Sequence, residues 1–222
     1  MKRKSNKLLS LVFAVAVVIF TITVSIALPI YIRPFYYAHV DLLDMEEEWG
    51  LEREYIIEAY DEVLDFLTVE GKEFGTGVLP YSEEGKGHFE DCKVLFDLNR
   101  NALIISFAVI LLLLLLNAIK VIRLAKPWGL GLSFYSGLGT LSLFATLAVV
   151  VAQDFSKAFT VFHTIFFPGK DNWLFNPYED MIILFMPQQF FMNCAILICS
   201  SILLISIFFI IRGIKNKKAK QD

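Results

Sequence analysis

The sequence predicts an all-α polytopic membrane protein, four transmembrane helices capped by a mainly helical extracellular domain. Three observations carry this. Four runs hold no Asp, Glu, Lys, Arg or His: Leu8 to Leu28, Ala102 to Ile119, Leu130 to Ala152 and Phe190 to Ile211, of 21, 18, 23 and 22 residues. About 20 apolar residues cross a bilayer core as a helix. Hydrophobic residues make up 56% of the 222, with 21 Phe among them, against about 45–50% in a soluble domain. A soluble globular protein is excluded. Charge placement is the third observation. Lys2, Arg3, Lys4, Lys7, Lys120, Arg123, Lys126, Arg212, Lys215, Lys217, Lys218 and Lys220 are 12 of the 20 basic residues, and the segments holding them contain only Asp222 of the 23 acids. Cytoplasmic flanks carry the excess of Lys and Arg. Both termini and the short middle loop are therefore expected in the cytoplasm, and the two long loops outside.

In chain order, residues 1–7 form a cytoplasmic N-terminus and 8–28 the first span. A basic start before an apolar run also fits a signal peptide, with Ser25-Ile26-Ala27 near the cleavage site. Signal cores usually stop at about 7–15 residues, so the longer run reads as a retained anchor. Residues 29–101 form the first extracellular segment. Within it Leu51, Tyr55, Ala59, Val63 and Phe66 recur at three- and four-residue steps between acids, the pattern of an amphipathic helix. Gly71, Gly75, Gly77 and Pro80 then break the chain. Ser82 is a suitable N-cap, followed by Glu83 and Glu84 where the helix dipole favours acids. The helix that starts there carries His88, Phe89, Cys92, Leu95 and Phe96 toward the second span, 102–119. His88 precedes Ala102 by 14 residues, so a straight helix lifts it about 20 Å above the core. Contact with a lipid ester then calls for a bend near Asn99-Arg100-Asn101.

Residues 120–129 form a short cytoplasmic loop in which Pro127 stops any helix. The third span, 130–152, carries Ser133, Ser136, Gly137, Gly139, Thr140 and Ser142, small residues that let helices approach closely. Residues 153–189 are the second extracellular segment, where Phe159, Phe162, Phe166, Phe167, Trp173 and Phe175 crowd around His163. That much apolar surface suggests a segment dipping into the headgroup layer. The last span is 190–211, and 212–222 is a cytoplasmic tail.

Several functions are excluded. The cytoplasmic side has no glycine-rich phosphate loop and no room for a nucleotide domain. Transport is disfavoured because the spans carry no ionisable groups. The basic residues are membrane flanks rather than a stripe for nucleic acid. Of the three cysteines only Cys92 lies outside a span, so the outer segments hold together by packing rather than by a disulfide.

The chemistry-bearing residues are three histidines, all outside the spans. His88 and His163 sit in apolar surroundings, where a buried imidazole must find a partner. His39 forms an H-x-x-x-x-D spacing with Asp44, as in glycerolipid acyltransferases, but those enzymes take acyl donors from inside the cell, so the match is read as chance. Cys92 shares a helix face with His88, which makes a Cys–His nucleophile conceivable, although a lone helical cysteine is ordinarily packing. No G-x-S-x-G, no H-E-x-x-H and no zinc-type cysteine spacing occurs, and no metal site is expected.

The run SEEGKGHFEDCKVLFDLNR before a span, with FHTIFFPGKDNWLFNPYED before the last one, resembles the lipoprotein intramolecular transacylase family of Gram-positive bacteria, over nearly the whole chain. The resemblance implies a cell-membrane enzyme without a cofactor, whose partners are diacylglyceryl-modified lipoproteins and membrane lipids, and not nucleic acid or nucleotides. It implies transfer of the sn-2 acyl chain to the N-terminal α-amino group of the same molecule, giving the lyso-form lipoprotein. The family's histidine pair falls on His88 and His163. A neutral imidazole can take a proton from the attacking amine, whose pKa is about 7.7–8, while the second histidine stabilises the oxyanion or protonates the departing glyceryl oxygen. His163 is the expected base because aromatic surroundings keep it neutral, and the exchanged assignment stays open. Asp91, one turn from His88, is expected to orient it, and Trp173, Phe162 and Phe166 to line the lipid cleft. The competing readings are a non-enzymatic four-span protein with a partner-binding outer domain, and an outer-leaflet lipid hydrolase.

Overall fold

The computed structural model describes residues 5–218; Lys2, Arg3, Lys4, Lys220 and Asp222, used above to orient the chain, lie outside them. The described residues form only helices and connections: α1 (Lys7–Tyr31), α2 (Arg33–Leu42), α3 (Met45–Trp49), α4 (Arg53–Thr68), α5 (Glu83–Ala118), a 3-10 turn at Pro127–Gly129, α6 (Leu132–Gln153), α7 (Phe155–Phe166), α8 (Ile182–Phe185) and α9 (Gln188–Lys218). Helices α1, α5, α6 and α9 are long and apolar enough to cross a membrane. The protein is a multi-pass membrane protein. Its chain divides into two compact units, one of residues 1–27, 99–150 and 197–222, the other of residues 28–98 and 151–196.

The first unit holds the apolar stretches of the four long helices. Its contacts bear the mark of small residues. Ser136 is buried and its hydroxyl donates to the Ala14 carbonyl at 2.9 Å. A Cβ at Gly137 would lie 2.8 Å from the Ser206 carbonyl oxygen, and one at Gly213 only 2.7 Å from Phe134. These glycines permit close helix approach, where dispersion replaces the hydrophobic drive that lipid removes. Gly139 plays no such part, for nothing lies within 4 Å of its Cβ position.

The second unit has a mixed aromatic and aliphatic core. Tyr36 stacks on Tyr60 at 3.6 Å, Phe190 meets both edge-on, and the Tyr36 hydroxyl donates to the Phe185 carbonyl at 2.7 Å. Helix α4 buries Ile56, Ala59, Tyr60, Val63, Leu64, Phe66 and Leu67. Ala59, Val63 and Phe66 of the expected stripe are buried, whereas Tyr55 is 41% exposed and Leu51 precedes the helix. The buried face is wider than expected, because Ile56, Tyr60, Leu64 and Leu67 beside the stripe add apolar volume to it.

Helix α5 starts where the sequence predicts. The Ser82 hydroxyl oxygen accepts the Gly85 N–H at 2.9 Å, and buried Asp180 accepts both the Ser82 N–H at 2.8 Å and its hydroxyl. Gly85 is required here, because a Cβ would overlap the Asp180 carboxylate at 2.1 Å. The expected bend at Asn99-Arg100-Asn101 is absent; α5 runs unbroken for 36 residues. Neither proline nor glycine stands between Asn99 and Ala118 to interrupt it, and the Asn99 amide donates to the Thr23 carbonyl at 3.3 Å instead of competing for its own backbone. The apolar boundary of α5 lies farther toward its N-terminus than the charge-free run. Charge-free sequence begins at Ala102, yet Leu98 and Val94, on the same face, are 64% and 66% exposed. Apolar helix surface therefore continues to within about two turns of His88, not four.

Candidate functional site

The site lies within the second unit, between the first turns of α5, helix α7 and the loop that follows α7. Helix α7 is capped by Asp154, whose carboxylate accepts the Lys157 N–H at 2.9 Å. Its polarity is inverted relative to a soluble helix. The one buried residue is His163, while Val161, Phe162, Ile165 and Phe166 are exposed.

The His88 and His163 rings lie 5.7 Å apart, centroid to centroid, although 75 residues separate them in the chain. Their exposures are 5% and 6%. Phe167 and Phe175 present edges to His88, and Trp173 stacks on His163 at 4.6 Å. Two groups that each reach about 3 Å to one reacting centre stand within about 6 Å of each other. Ring centroids 5.7 Å apart put the two imidazoles in that range.

The two rings are hydrogen-bonded in opposite ways. His163 Nδ1 is 2.7 Å from the Phe159 carbonyl oxygen, which can only accept, so Nδ1 carries the hydrogen and Nε2 keeps its lone pair. In His88 the occupied nitrogen is Nε2, 3.4 Å from the Cys92 sulfur, and Nδ1 is buried without a partner. Burial, and then the nearby His163, push the His88 pKa down to about 4. Burial also lowers that of His163, against the opposing effect of its bond to the Phe159 carbonyl. Both rings are neutral near pH 7. Burial, with the Asp91 charge beside it, drives the Cys92 thiol up to about 12, which removes the thiolate that a covalent Cys–His route needs.

Asp91 does not reach the His88 ring. Its carboxylate pairs with the Lys170 ammonium and accepts from the Asn172 amide at 3.1 Å. Burial opposes ionisation there, but these two partners hold the carboxyl below its usual range. The hydrogen-bond partners of Asp91 thus lie in the loop and not on the imidazole, which its charge nevertheless acts on; in that loop the Trp173 indole N–H donates to the Lys170 carbonyl at 3.1 Å, and its ring stacks on His163. Phe162 and Phe166 pack together at 4.6 Å and are about half exposed. Sequence reasoning did not single out Lys170, Asn172 and Asp180, whose signal was their place in the run FHTIFFPGKDNWLFNPYED.

His39 is buried with both nitrogens engaged, Nδ1 with the Phe35 carbonyl oxygen at 2.6 Å and Nε2 with the Asn193 amide at 2.9 Å. It has no nitrogen left for chemistry and no bond to Asp44. Among the described residues no group of three or more His, Cys, Asp and Glu is placed to hold a metal ion.

The sequence matches the family described as lipoprotein intramolecular transacylase Lit over residues 11–191. The structure is similar to that of the membrane integral lipoprotein intramolecular transacylase Lit from Bacillus cereus, with 23% identity, 97% of each chain covered and a TM-score of 0.86. Two variants of that protein, with a histidine replaced by alanine or by arginine, are each 22% identical over 97% of this chain. They are covered to 94% and 93%, with TM-scores of 0.79 and 0.78. No curated protein matches.

Proposed function

The chain belongs to the lipoprotein intramolecular transacylase family, and from that premise we propose that His163 is the general base and His88 the oxyanion donor. The enzyme moves an acyl chain within one lipoprotein. The observation that carries the assignment of roles is the opposed hydrogen bonding of the two rings: a free lone pair on His163 Nε2, and an unpartnered Nδ1 on His88.

The substrate is a diacylglyceryl-modified lipoprotein whose free N-terminal amine attacks the carbonyl of its own sn-2 ester. His163 Nε2 takes a proton from the amine as the C–N bond forms. The carbonyl oxygen becomes an oxyanion and receives a hydrogen bond from His88 Nδ1–H. The intermediate then collapses: the bond to the glyceryl oxygen breaks, and His163 returns the proton to that oxygen. An amide and an alcohol result, and both imidazoles end as they began. His88 never gives up its hydrogen. Because nucleophile and ester belong to one molecule, holding them close supplies much of the rate. The exposed side of α7, with Phe162 and Phe166, supports a role in receiving the acyl chains, and Trp173 fixes the base. The placement of the basic residues supports cytoplasmic termini and a site on the extracellular face, which reporter fusions at each terminus test.

The deciding experiment uses the purified protein with a synthetic diacylglyceryl lipopeptide. Transfer within one molecule leaves its mass unchanged and blocks its amine, so fragment ions and loss of amine labelling report the product. Single replacement of His88 or His163 by Ala is expected to lower the initial rate of its formation by about 10²–10³ and about 10²–10⁴ respectively. Free fatty acid released with a mass loss to match would show a hydrolase instead, and product formed at the wild-type rate in both variants would end the histidine mechanism.

A further inference from the structure

We infer that Cys92 is a positioning residue that sets the tautomer of His88: its thiol hydrogen occupies Nε2 and so keeps the ring hydrogen on Nδ1. This rests on the reading of His88 as the oxyanion donor and adds the group that makes it one. Cys92 follows His88 by one turn of α5, and Sγ lies 3.4 Å from Nε2. A bare imidazole nitrogen is a strong acceptor and a thiol sulfur a weak one. The hydrogen therefore runs from sulfur to nitrogen. The buried thiol is held protonated, so the donor is always present. With Nε2 accepting, a neutral ring must carry its own hydrogen on Nδ1, the nitrogen without a partner. The ring is 5% exposed, so solvent cannot select the tautomer in its place.

The chain has three histidines, so ring-nitrogen NMR of the full-length protein labelled with 15N-histidine gives three resolvable rings, assigned by single replacements. The His88 ring is expected to show a protonated Nδ1 in the wild type. In Cys92→Ala it should move toward the Nε2–H form, with kcat falling by about tenfold or more, up to the 10²–10³ that complete loss of an oxyanion donor costs, and KM little changed. Cys92→Ser supplies an O–H donor and should restore most of the rate and the Nδ1–H signal. An Nε2–H ring in the wild type overturns the inference, as does Cys92→Ala with unchanged spectrum and kcat. If Cys92→Ala fails to fold, the wild-type spectrum and Cys92→Ser decide in the same way. A His88→Ala enzyme working at the wild-type rate overturns the role of His88 itself. Loss of activity in His88→Ala beside an indifferent Cys92→Ala overturns only the inference about Cys92.

Discussion

Replacing His88 by Asn and by Gln moves an amide N–H to two different places. In histidine Nδ1 is bonded directly to Cγ, and so is the amide nitrogen of asparagine. His88→Asn therefore sets a donor close to where Nδ1 stands. Glutamine is one carbon longer and sets its donor near Nε2, which faces Cys92 at 3.4 Å. If Nδ1–H holds the oxyanion, His88→Gln loses the donor and should lose about 10²–10³ in kcat, or about 2.7–4 kcal/mol. His88→Asn keeps the donor and loses the ring contacts with Phe167 at 4.9 Å and Phe175 at 5.4 Å. Each aromatic pair contributes about 0.5–1.5 kcal/mol, and His88→Gln loses both as well, so His88→Asn should turn over about 10²–10³ faster than His88→Gln. At position 163 neither amide can act as a base, and both variants should lose about 10²–10⁴. Initial rates of amine blocking on the lipopeptide, at saturating substrate, measure all four. A His88→Gln enzyme as fast as His88→Asn would refute the Nδ1 donor. Equal inactivity of the two would mean that the imidazole moves a proton, and would refute it as well.

The pH profile follows from the same assignments. His163 has a lowered pKa, so it is lost as a base only below its ordinary value of about 6.5, whereas the substrate amine is freed through about 7.7–8. The rate should climb with unit slope from about pH 6.5, level off above about pH 8, and show no descending limb from His88, whose pKa is about 4; a bell centred near pH 6 would contradict this. Trp173→Leu removes the ring stacked on His163 and should lower kcat by up to about tenfold, from about 0.5–1.5 kcal/mol of lost contact, in the same kinetic assay. In thermal unfolding, Gly85→Ala should destabilise by about 1–3 kcal/mol, because its Cβ overlaps Asp180. Gly87→Ala, with nothing nearer than 3.8 Å to its Cβ, should stabilise by up to about 1 kcal/mol; equal shifts would discard the steric argument.

What could be read from the amino acids was whatever depends on local composition. Charge-free runs locate the spans, because a helix in lipid must satisfy its backbone internally and present apolar side chains. Ser82 with two acids behind it marks a helix start for equally local reasons. The exposed stripe of Val94 and Leu98 was hidden because Asp97 and Arg100 lie on the same stretch, and a run without charges is a stricter criterion than a face without them. Tertiary partners were illegible in principle. Nothing near Asp91 in sequence names Lys170 and Asn172, 79 and 81 residues away, as the groups that take its oxygens. Cys92 shows the intermediate case: its spacing from His88 put the two on one face, but only burial distinguishes a hydrogen-bond donor from a nucleophile.

In the proposed mechanism the neutrality of His88 is not incidental. If His163 takes the amine proton, it becomes a cation 5.7 Å from the His88 ring. A second cation there would add repulsion of about 3 kcal/mol at an effective dielectric of about 20, a factor of about 10² against the step that must occur. An N–H on a neutral ring gives the oxyanion its hydrogen bond without that penalty, and leaves the new imidazolium and the oxyanion to attract each other. The proposed division follows the hydrogen-bond partners. On that proposal the carbonyl on Nδ1 leaves His163 an acceptor at its other end and the thiol on Nε2 leaves His88 a donor at its other end, while His39, with a carbonyl on one nitrogen and an amide on the other, has no free end. His39→Gln should accordingly lower the unfolding temperature while the surviving folded enzyme keeps its kcat and its pH profile. A changed pH profile in that variant would mean that a third imidazole takes part, and the two-histidine mechanism would have to be abandoned.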